Sequence, residues 1–338
     1  MKTKQVVGIV VTCLIIIATG VTGILSNIIG NRVIESQNEA KRGIISEMLS
    51  SQVKTKVDLP LDDFIGVINI EGTIGASSAG SWASSSLYNH DLYMEYISQM
   101  EEAVNNKGIL LYVDSPGGAV YQSDELYLKL MEYKEVTGRP VWAYFASEAC
   151  SGGYYISMAA DRIYANRNCW TGSIGVIVSL VNCKGLYDKI GIKEIDITSG
   201  ENKSMGSMGI DMTKEQQQIF QGLVDEAYNQ FIDIVCNGRG MNKETVRKIA
   251  DGRIYSAQQA LENGLIDEIG LLGDAKADFI AAERLPDNIN FFVPDNTISG
   301  FMSSIFGAAE KIIPKSESSL ADDIINNKGK GVLMYYAG

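Results

Sequence analysis

Short and almost uninterrupted apolar segments alternate with helical patterns in the first half of this chain. Residues 64–70, 108–113 and 140–145 form such apolar segments, and residues 91–104 and 121–133 between them are expected to be helices. A strand that is apolar on both sides has to be buried on both faces of its sheet. The sequence therefore predicts an α/β domain with a sheet that is covered on both faces.

The second half of the chain is predicted to continue this alternation. Thr213 is placed to cap a long helix that runs to about Cys236, because its side-chain oxygen precedes Glu215 and Gln216 in the first turn. Shorter strands are expected at residues 163–165, 174–178 and 194–197, and shorter helices around Leu186 and at residues 243–250, 256–263 and 274–283.

The N-terminal segment is strongly apolar. Residues 6–25 contain no charged side chain, and about 20 helical residues reach roughly 30 Å, the thickness of a hydrocarbon core. Lys2 and Lys4 precede this segment, which favours a cytoplasmic N-terminus. We expect a single-pass anchor in the cell membrane, with the following domain outside the cytoplasm. A cleaved signal peptide is the alternative.

The chain is expected to have four regions. Residues 1–30 hold the cytoplasmic tip and the transmembrane anchor, and residues 31–60 form a helical stalk. Residues 61–290 form the globular domain, and residues 291–338 are a C-terminal extension that ends in a mobile apolar tail.

Charge and cysteine content exclude several kinds of partner. The net charge of −12 argues against nucleic acid, since phosphate binding requires clustered Lys and Arg. An acidic chain is not attracted to anionic lipid, so contact with membrane lipid must come from the apolar N-terminal helix. The five cysteines lack the spacing of a zinc site or a disulfide framework, and we expect neither a metal nor a cofactor.

A single histidine, His90, restricts the chemistry that the chain can carry out. One histidine excludes the H-E-x-x-H zinc motif, and any Ser-His-Asp triad would have to use His90. Because residues 84–89 before it are rich in Ser and Asn, we expect His90 to lie in a solvated loop.

Two glycine pairs follow predicted strands. Gly117 and Gly118 come after one strand, and Gly152 and Gly153 come after the next, directly behind Ser151. Each pair opens a helix, so backbone N–H groups from the two turns could converge on the oxygen of a reacting carbonyl group, as in an oxyanion hole. A pair of ordinary tight turns is the alternative. A phosphate cradle is less favoured, because no Lys or Ser/Thr follows at the spacing of a P-loop.

Ser151 is the candidate nucleophile, and a lysine is its candidate base. Ser151 lies closer to the start of the second helix than its rival Ser147. Lysine at its ordinary pKa of about 10.4 is neutral in roughly one molecule in a thousand near pH 7.5, so a lysine base has to be buried. Lys203 lies in a glycine-bearing segment after a predicted strand, which could bring its amine to the site, and Ser173 could orient it. An ordinary surface position is the alternative for Lys203, as it is for Lys184, Lys189, Lys193 and Lys214.

Five spaced segments resemble the signature blocks of the signal peptide peptidase A family, in its short single-domain form. These segments are residues 114–118, 151–157, 172–176, 199–204 and 238–268. The resemblance implies a ClpP/crotonase-like fold behind the N-terminal transmembrane helix. It also implies a membrane-anchored serine endopeptidase that degrades remnant signal peptides and other extended apolar peptides through an acyl-enzyme.

The resemblance carries roles to individual positions. Ser151 matches the nucleophile, Lys203 matches the general base, and Ser173 matches the residue that hydrogen-bonds the lysine. Gly118 matches one oxyanion donor, and the N–H of Gly152 is the expected second donor. No metal or cofactor is implied.

Further expectations follow from the same resemblance. Val176 stands where relatives of this fold that use histidine carry it, which agrees with a lysine base, and Cys150 replaces the usual alanine. The family forms ring-like homo-oligomers in which neighbouring subunits complete the site. An extended substrate peptide is expected to pair with a strand edge near residues 115–120.

Other interpretations remain open at this stage. A crotonase-type acyl-CoA enzyme would also use paired N–H donors, but without a serine nucleophile. A catalytically inactive membrane scaffold could have the same fold. The apolar residues 331–338 either enter the substrate groove as a product-like inhibitor, or form a subunit contact or remain disordered.

Overall fold

The structure, a computed structural model, describes residues 57–76 and 88–294 together with the backbone of residues 334–336. The strands in these parts are β1 (Phe64–Glu71), β2 (Asn106–Ser115), β3 (Gly117–Ala119), β4 (Val141–Cys150), β5 (Arg162–Ala165), β6 (Trp170–Gly172), β7 (Ile254–Ser256), β8 (Glu268–Ile269), β9 (Asn290–Phe292) and β10 (Met334–Tyr336). The helices are α1 (His90–Glu102), α2 (Val120–Thr137), α3 (Gly152–Ser157), α4 (Lys184–Ile190), α5 (Lys214–Arg239), α6 (Lys243–Ile249), α7 (Ala257–Glu262) and α8 (Leu272–Ala282).

One mostly parallel sheet organises the described part of the chain. Its main path runs β7-β6-β4-β2-β1-β9, and β5 and β8 extend from β4 as a branch. The pairs in this sheet are parallel except for β6 with β7. The carboxyl ends of parallel neighbours lie along one edge, so β2 and β4 end side by side, with Ser115 opposite Ala149.

The central strands are buried on both faces, as the apolar pattern predicts. Along β4, Val141, Ala143 and Phe145 belong to one buried cluster, whereas Trp142 and Tyr144 belong to another. Successive side chains of a strand point to opposite faces, so the two clusters lie on the two sides of the sheet. Residues of α1, α2, α3 and α5 complete the first cluster, and residues of α8 complete the second. The predicted α/β domain with a doubly covered sheet is confirmed.

The predicted cap of the long helix is also confirmed. Thr213 accepts a hydrogen bond from Gln216 N, and the Gln216 side chain accepts one from Thr213 N. This reciprocal capping box satisfies backbone donors that a helix start leaves unpaired. The helix continues to Arg239, slightly beyond the expected end, and closes at Gly240 in the left-handed conformation.

Two predicted strands are wrong. Residues 174–178 and 194–197 form no strand. A strand needs a neighbour for its backbone groups, and residues 175–226 have no buried member within this single chain. Ile177 forms only an isolated bridge, so these apolar residues fit a strand pattern without a continuous strand partner.

The expected position of His90 is also wrong. His90 is 5% exposed at the start of α1. Its Nε2 is hydrogen-bonded to Glu125 Oε2 at 2.8 Å, and its Nδ1 is hydrogen-bonded to Tyr88 Oη at 2.7 Å. The neighbouring Asn89 caps α1 through a bond from Leu92 N. Asn89 thus belongs to a helix start, where Asn is as favoured as it is in loops.

The predicted membrane anchor at residues 6–25 lies outside the described residues, as do most of the predicted stalk and most of the C-terminal extension. Among the helices that the structure describes, none is both long and apolar enough to cross a membrane.

Candidate active site

Ser151 lies at a sharp turn between β4 and α3. Its backbone has φ 52° and ψ −112°, a combination that residues with a Cβ rarely adopt. Ser151 N donates to Gly172 O at 2.8 Å, and Tyr155 N donates to Ser151 O at 2.8 Å. These bonds to β6 and α3 hold the turn in place. A strained turn between strand and helix is also how α/β-hydrolases present a nucleophilic serine at the end of a sheet.

The hydroxyl of Ser151 is buried and has no hydrogen-bond partner among the described residues. Leaving a buried hydroxyl unpaired costs about 1–3 kcal/mol. The positive φ at the same residue costs a further amount of about 1–3 kcal/mol. A residue that combines an unpaired buried group with backbone strain is typical of a functional site.

Gly118 and Gly152 lie close together beside this turn. A Cβ built on Gly152 would lie 3.3 Å from Gly118 N and 2.5 Å from Ser123 Oγ. A Cβ built on Gly118 would lie 1.9 Å from Ile74 O. Gly118 therefore requires glycine for space, because the clash is with backbone atoms, whereas a Cβ at residue 152 would require the Ser123 hydroxyl to move. The two glycine pairs converge at the ends of β2 and β4, as their positions in the sequence predict.

The strand β3 has a backbone neighbour on each edge. On one edge, Ile74 N donates to Gly117 O at 2.9 Å, and Ala119 N donates to Ile74 O at 2.9 Å. Backbone groups alternate in direction along a strand, so the N–H and C=O of Gly118 face the other edge. There β10 pairs with β3 in antiparallel register, with Tyr335 opposite Gly118. The edge that presents Gly118 thus accommodates an extended chain.

Ser173 lies beside Ser151 through the pairing of β6 with β4. Gly172 is opposite Cys150 in that pairing and accepts the hydrogen bond from Ser151 N. The next residue, Ser173, is 6% exposed, has φ 48°, and donates from its own N to Arg253 O at 2.8 Å. The structure therefore brings Ser173 to the same end of the sheet as the candidate nucleophile.

A cavity of about 340 Å³ borders Ser173. Val176 contributes an apolar part of its lining, and Tyr228 and Asp251 contribute polar groups. Arg253 Nε donates to Asp251 Oδ1 at 2.7 Å, and this hydrogen bonding lowers the pKa of Asp251 to about 2. Open volume bordered by one member of the Asp251–Arg253 ion pair therefore lies next to Ser173.

Lys203 is not part of this arrangement within a single chain. The Ser151 hydroxyl has no partner among the described residues, so no hydrogen bond joins it to the Lys203 amine. Lys203 is exposed in a series of turns, and its backbone N donates to Gly200 O at 3.1 Å. The residues that carry it, 175–226, include no buried residue. Of the five predicted site residues, the structure assembles four and leaves Lys203 apart.

Ser147, the rival nucleophile, has a different environment. It is exposed within β4, four residues before the turn, and its hydroxyl donates to Asp114 Oδ1. Ser147 is therefore neither at the strained turn nor unpaired, which favours Ser151 over it.

Ionisable groups near the turn are shifted by burial. Burial, with a contribution from the charge of Glu148, raises the pKa of the Cys150 thiol to about 12. Burial and then the charge of Asp114 raise the pKa of both Glu71 and Glu148. No group of His, Cys, Asp and Glu side chains among the described residues has the arrangement of a metal site.

Sequence reasoning missed the backbone of Ile74, which holds β3 in place. The bonds to Gly117 and Ala119 are made by main-chain atoms, so they would form with many side chains at residue 74. No sequence signal marks this residue except its position shortly after the end of β1.

The sequence of this chain is similar to a known protein family and to several known proteins. Residues 134–284 match the model of Peptidase family S49. A protein of Enterococcus faecium assigned as signal peptide peptidase SppA is 34% identical to this chain over 277 residues, which cover 82% of this chain and 77% of that protein. Similarity therefore extends well beyond the residues that match the family model.

Two longer relatives are similar over most of this chain. Protease 4 of Haemophilus influenzae is 30% identical over 259 residues, which cover 74% of this chain and 41% of that protein. The chloroplastic serine protease SPPA of Arabidopsis thaliana is 28% identical over 273 residues, which cover 79% of this chain and 40% of that protein. This chain thus spans less than half the length of these two proteins.

Proposed function

This chain belongs to Peptidase family S49 and is a serine protease, and we propose that it is a membrane-anchored endopeptidase that degrades remnant signal peptides and other extended apolar peptides. The observation that carries this proposal is the buried, unpaired hydroxyl of Ser151 at a strained turn beside Gly118 and Gly152. The name of the Enterococcus faecium relative, a signal peptide peptidase, supports the substrate class.

The substrate binds as an extended strand on the edge of β3 that pairs with β10, in the place of β10. Its support is the antiparallel pairing of β10 with β3, in which a segment of extended backbone pairs with this edge. When a peptide pairs with β3 in the register of β10, the carbonyl group of the residue opposite Gly118 points toward the Gly118 N–H. Main-chain pairing is indifferent to side-chain identity, which suits an enzyme that removes many different apolar peptides.

The reaction is an acyl transfer. The neutral amine of Lys203 takes the proton of Ser151 as Oγ forms a bond to the peptide carbonyl carbon, and the electron pair of the C=O bond moves to the oxygen. The tetrahedral intermediate collapses with cleavage of the C–N bond, and Lys203 gives its proton to the leaving amine. A water molecule that loses a proton to Lys203 then attacks the acyl-enzyme, and Ser151 leaves with a proton as the new carboxyl end is released.

The N–H groups of Gly118 and Gly152 stabilise the oxygen on which negative charge develops. Their proximity and the absence of side chains at both positions support this role. Removing one such donor in other serine proteases lowers kcat by about 10²- to 10³-fold. Ser173, beside the turn and bordering the cavity of about 340 Å³, orients the lysine.

Lys203 reaches Ser151 from a neighbouring copy of the chain. Support comes from the segment that carries it, because its apolar side chains are exposed in a single chain: Ile195 is 80% exposed and Ile197 is 98% exposed. Exposed apolar residues in such numbers are typical of a protein interface. The family resemblance, with ring-like oligomers whose neighbours complete the site, agrees with this arrangement. Enclosure by the neighbour excludes water and favours the neutral amine.

The remaining parts of the proposal concern fold type and location. The mostly parallel sheet with helices on both faces is compatible with a ClpP/crotonase-like fold. An N-terminal helix at residues 6–25 anchors the chain in the cell membrane, with the protease domain outside the cytoplasm; the apolar sequence and the flanking Lys2 and Lys4 support this part.

Cleavage of an apolar fluorogenic peptide by the 338-residue chain in detergent tests the proposal. Ser151→Ala and Lys203→Ala are each expected to abolish cleavage while the circular dichroism spectrum stays unchanged. Ser147→Ala is the matched control, because it removes a hydroxyl from the strand that leads into Ser151 and should keep near-wild-type activity. Retained cleavage in purified Ser151→Ala would exclude the proposed nucleophile.

A further inference from the structure

We propose that Ser115 is a positioning residue for this reaction, because its hydroxyl fixes the direction in which Gly118 presents its N–H group. The inference rests on the proposed function, since it concerns the oxyanion site of that mechanism. Ser115 is the last residue of β2 and is fully buried. It does not touch the substrate, so its effect would pass through the backbone of β3.

The Ser115 hydroxyl joins two backbone segments. It donates a hydrogen bond to Gly72 O at 2.6 Å and accepts one from Gly117 N at 3.1 Å. Gly72 lies at the end of β1, and Gly117 is the first residue of β3. A hydroxyl has one hydrogen to donate and lone pairs to accept, so a single side chain satisfies both backbone groups.

The backbone at this point needs such a constraint. Gly117 has φ 106°, a conformation that glycine reaches readily and leaves readily. Pro116 has no N–H group and cannot supply a backbone hydrogen bond of its own. The bond from Gly117 N to Ser115 Oγ therefore holds the entrance of β3, one residue before Gly118.

Ser115 also contacts the turn that carries the nucleophile. A Cβ built on Gly153 would lie 3.3 Å from Ser115 O and 3.4 Å from Ser115 Cβ, so the two residues are in close contact. Ser115 is opposite Ala149 in the pairing of β2 with β4. Ser115 thus lies beside β3, which carries Gly118, and beside the start of α3, which carries Gly152.

Loss of the Ser115 hydroxyl should weaken stabilisation of the transition state more than binding of the peptide in its ground state. The antiparallel pairing that binds a peptide to β3 uses several backbone groups, whereas the oxyanion depends on the direction of one N–H. Ser115→Ala is therefore expected to lower kcat by about 10- to 100-fold, less than complete removal of an oxyanion donor. KM should stay within about twofold, because uniform binding is retained.

The experiment compares Ser115→Ala and Ser115→Cys with Ser157→Ala in the 338-residue chain. Ser157 is the matched control, because it is also fully buried and donates to a backbone carbonyl, Gly153 O, at 2.8 Å. The readouts are kcat and KM for an apolar peptide, the melting temperature, and the affinities of a peptide aldehyde and of the peptide acid of the same sequence. Ser151 Oγ adds to the aldehyde carbon, so the aldehyde oxygen becomes the oxyanion, whereas the acid binds as a product.

Ser115→Ala is expected to weaken aldehyde binding by the same factor as kcat, and to leave acid binding unchanged. Ser115→Cys should have a smaller effect, since a thiol is a weak donor and acceptor. Ser157→Ala should lower the melting temperature by a similar amount without changing the ratio of the two affinities. The inference would be overturned if folded Ser115 variants kept kcat within about threefold of wild type. It would also be overturned if they weakened aldehyde binding and acid binding equally.

Failure of the proposed function would be recognised separately. Wild type and Ser151→Ala are measured first in the same assay. If Ser151→Ala cleaves the peptide and still binds the aldehyde tightly, then the nucleophile is wrong, and the Ser115 proposal falls with it. If those two proteins behave as expected, the Ser115 variants decide the inference by themselves.

Discussion

Tyr335 lies opposite Gly118 in an antiparallel pair of strands. Because the N–H of Gly118 faces this edge, the backbone of residues 334–336 takes the place that the proposed mechanism gives to a substrate strand. One edge cannot pair with the tail and with a substrate at the same time. The sequence-based hypothesis of a product-like tail therefore gains a specific register, with Tyr335 at the position of the residue whose carbonyl would react.

We predict that deletion of residues 331–338 lowers KM for an apolar peptide and leaves kcat nearly unchanged. The physical reason is competition, since a tail that is paired in about 90% of molecules would raise the apparent KM about tenfold. Steady-state kinetics of the full and shortened chains measure the change. A synthetic peptide of residues 331–338 should inhibit the shortened chain competitively; an unchanged KM together with no inhibition would contradict the prediction.

A second prediction concerns the source of the lysine. Ser151→Ala and Lys203→Ala chains, each inactive, should recover activity when they are co-expressed and purified together through different tags. If Ser151 and Lys203 of one site come from adjacent copies, random assembly gives about a quarter of the sites both residues. Lys193→Ala serves as the matched control, because it removes an exposed lysine from the same segment and should stay active alone. Mixed oligomers without any activity would place both residues of a site in one chain.

Several features of the fold were predictable because they depend on local chemistry. The doubly buried strands, the Thr213 cap and the meeting of the two glycine pairs follow from apolar runs, capping oxygens and turns at strand ends. The strand expected at residues 163–165 also forms, as Arg162–Ala165. Each of these features is recorded in the type and spacing of residues.

Other features depend on contacts that residue types do not record. The strand predicted at residues 194–197 does not form, because apolar alternation cannot reveal whether a partner is available. Ile74 and Ser115 hold β3 through hydrogen bonds with backbone N–H and C=O groups of Gly117 and Ala119, and backbone groups carry no sequence signal. His90 is buried because Glu125, on another helix, pairs with it.

A third prediction is that the Cys150 thiol is inert and dispensable. Because burial raises its pKa to about 12, the group stays protonated and enclosed at neutral pH. Iodoacetamide should leave Cys150 unmodified in the folded chain and modify the partly exposed Cys183, as peptide mass mapping would detect. Cys150→Ala should keep kcat/KM within about twofold, since the side chain only donates weakly to Trp170 O. Strong loss of activity in this variant would assign the thiol a role next to Ser151.

A fourth prediction concerns acid stability. The hydrogen bond from Arg253 lowers the pKa of Asp251 from 3.8 to about 2 in the folded chain. A carboxylate with a lowered folded-state pKa contributes stability above its unfolded pKa, and this contribution is lost as the pH falls through the folded value. The melting-temperature difference between wild type and Asp251→Asn should therefore be nearly constant above about pH 5, shrink as the pH falls below about 4, and vanish below about pH 2. A difference that widens on acidification would contradict the pairing with Arg253.

The central claim is that the Ser151 hydroxyl attacks a carbonyl carbon with the help of the Lys203 amine. Covalent labelling tests this claim most directly. A fluorophosphonate forms a P–O bond with an activated serine and releases fluoride, and peptide mass mapping then identifies the labelled residue. The prediction is label on Ser151 in the wild-type chain, none on Ser147, and none in Lys203→Ala. A crotonase-type enzyme would give no label at all. Peptide cleavage by a chain whose label falls on a different serine, or full labelling of Ser151 in Lys203→Ala, would contradict the account.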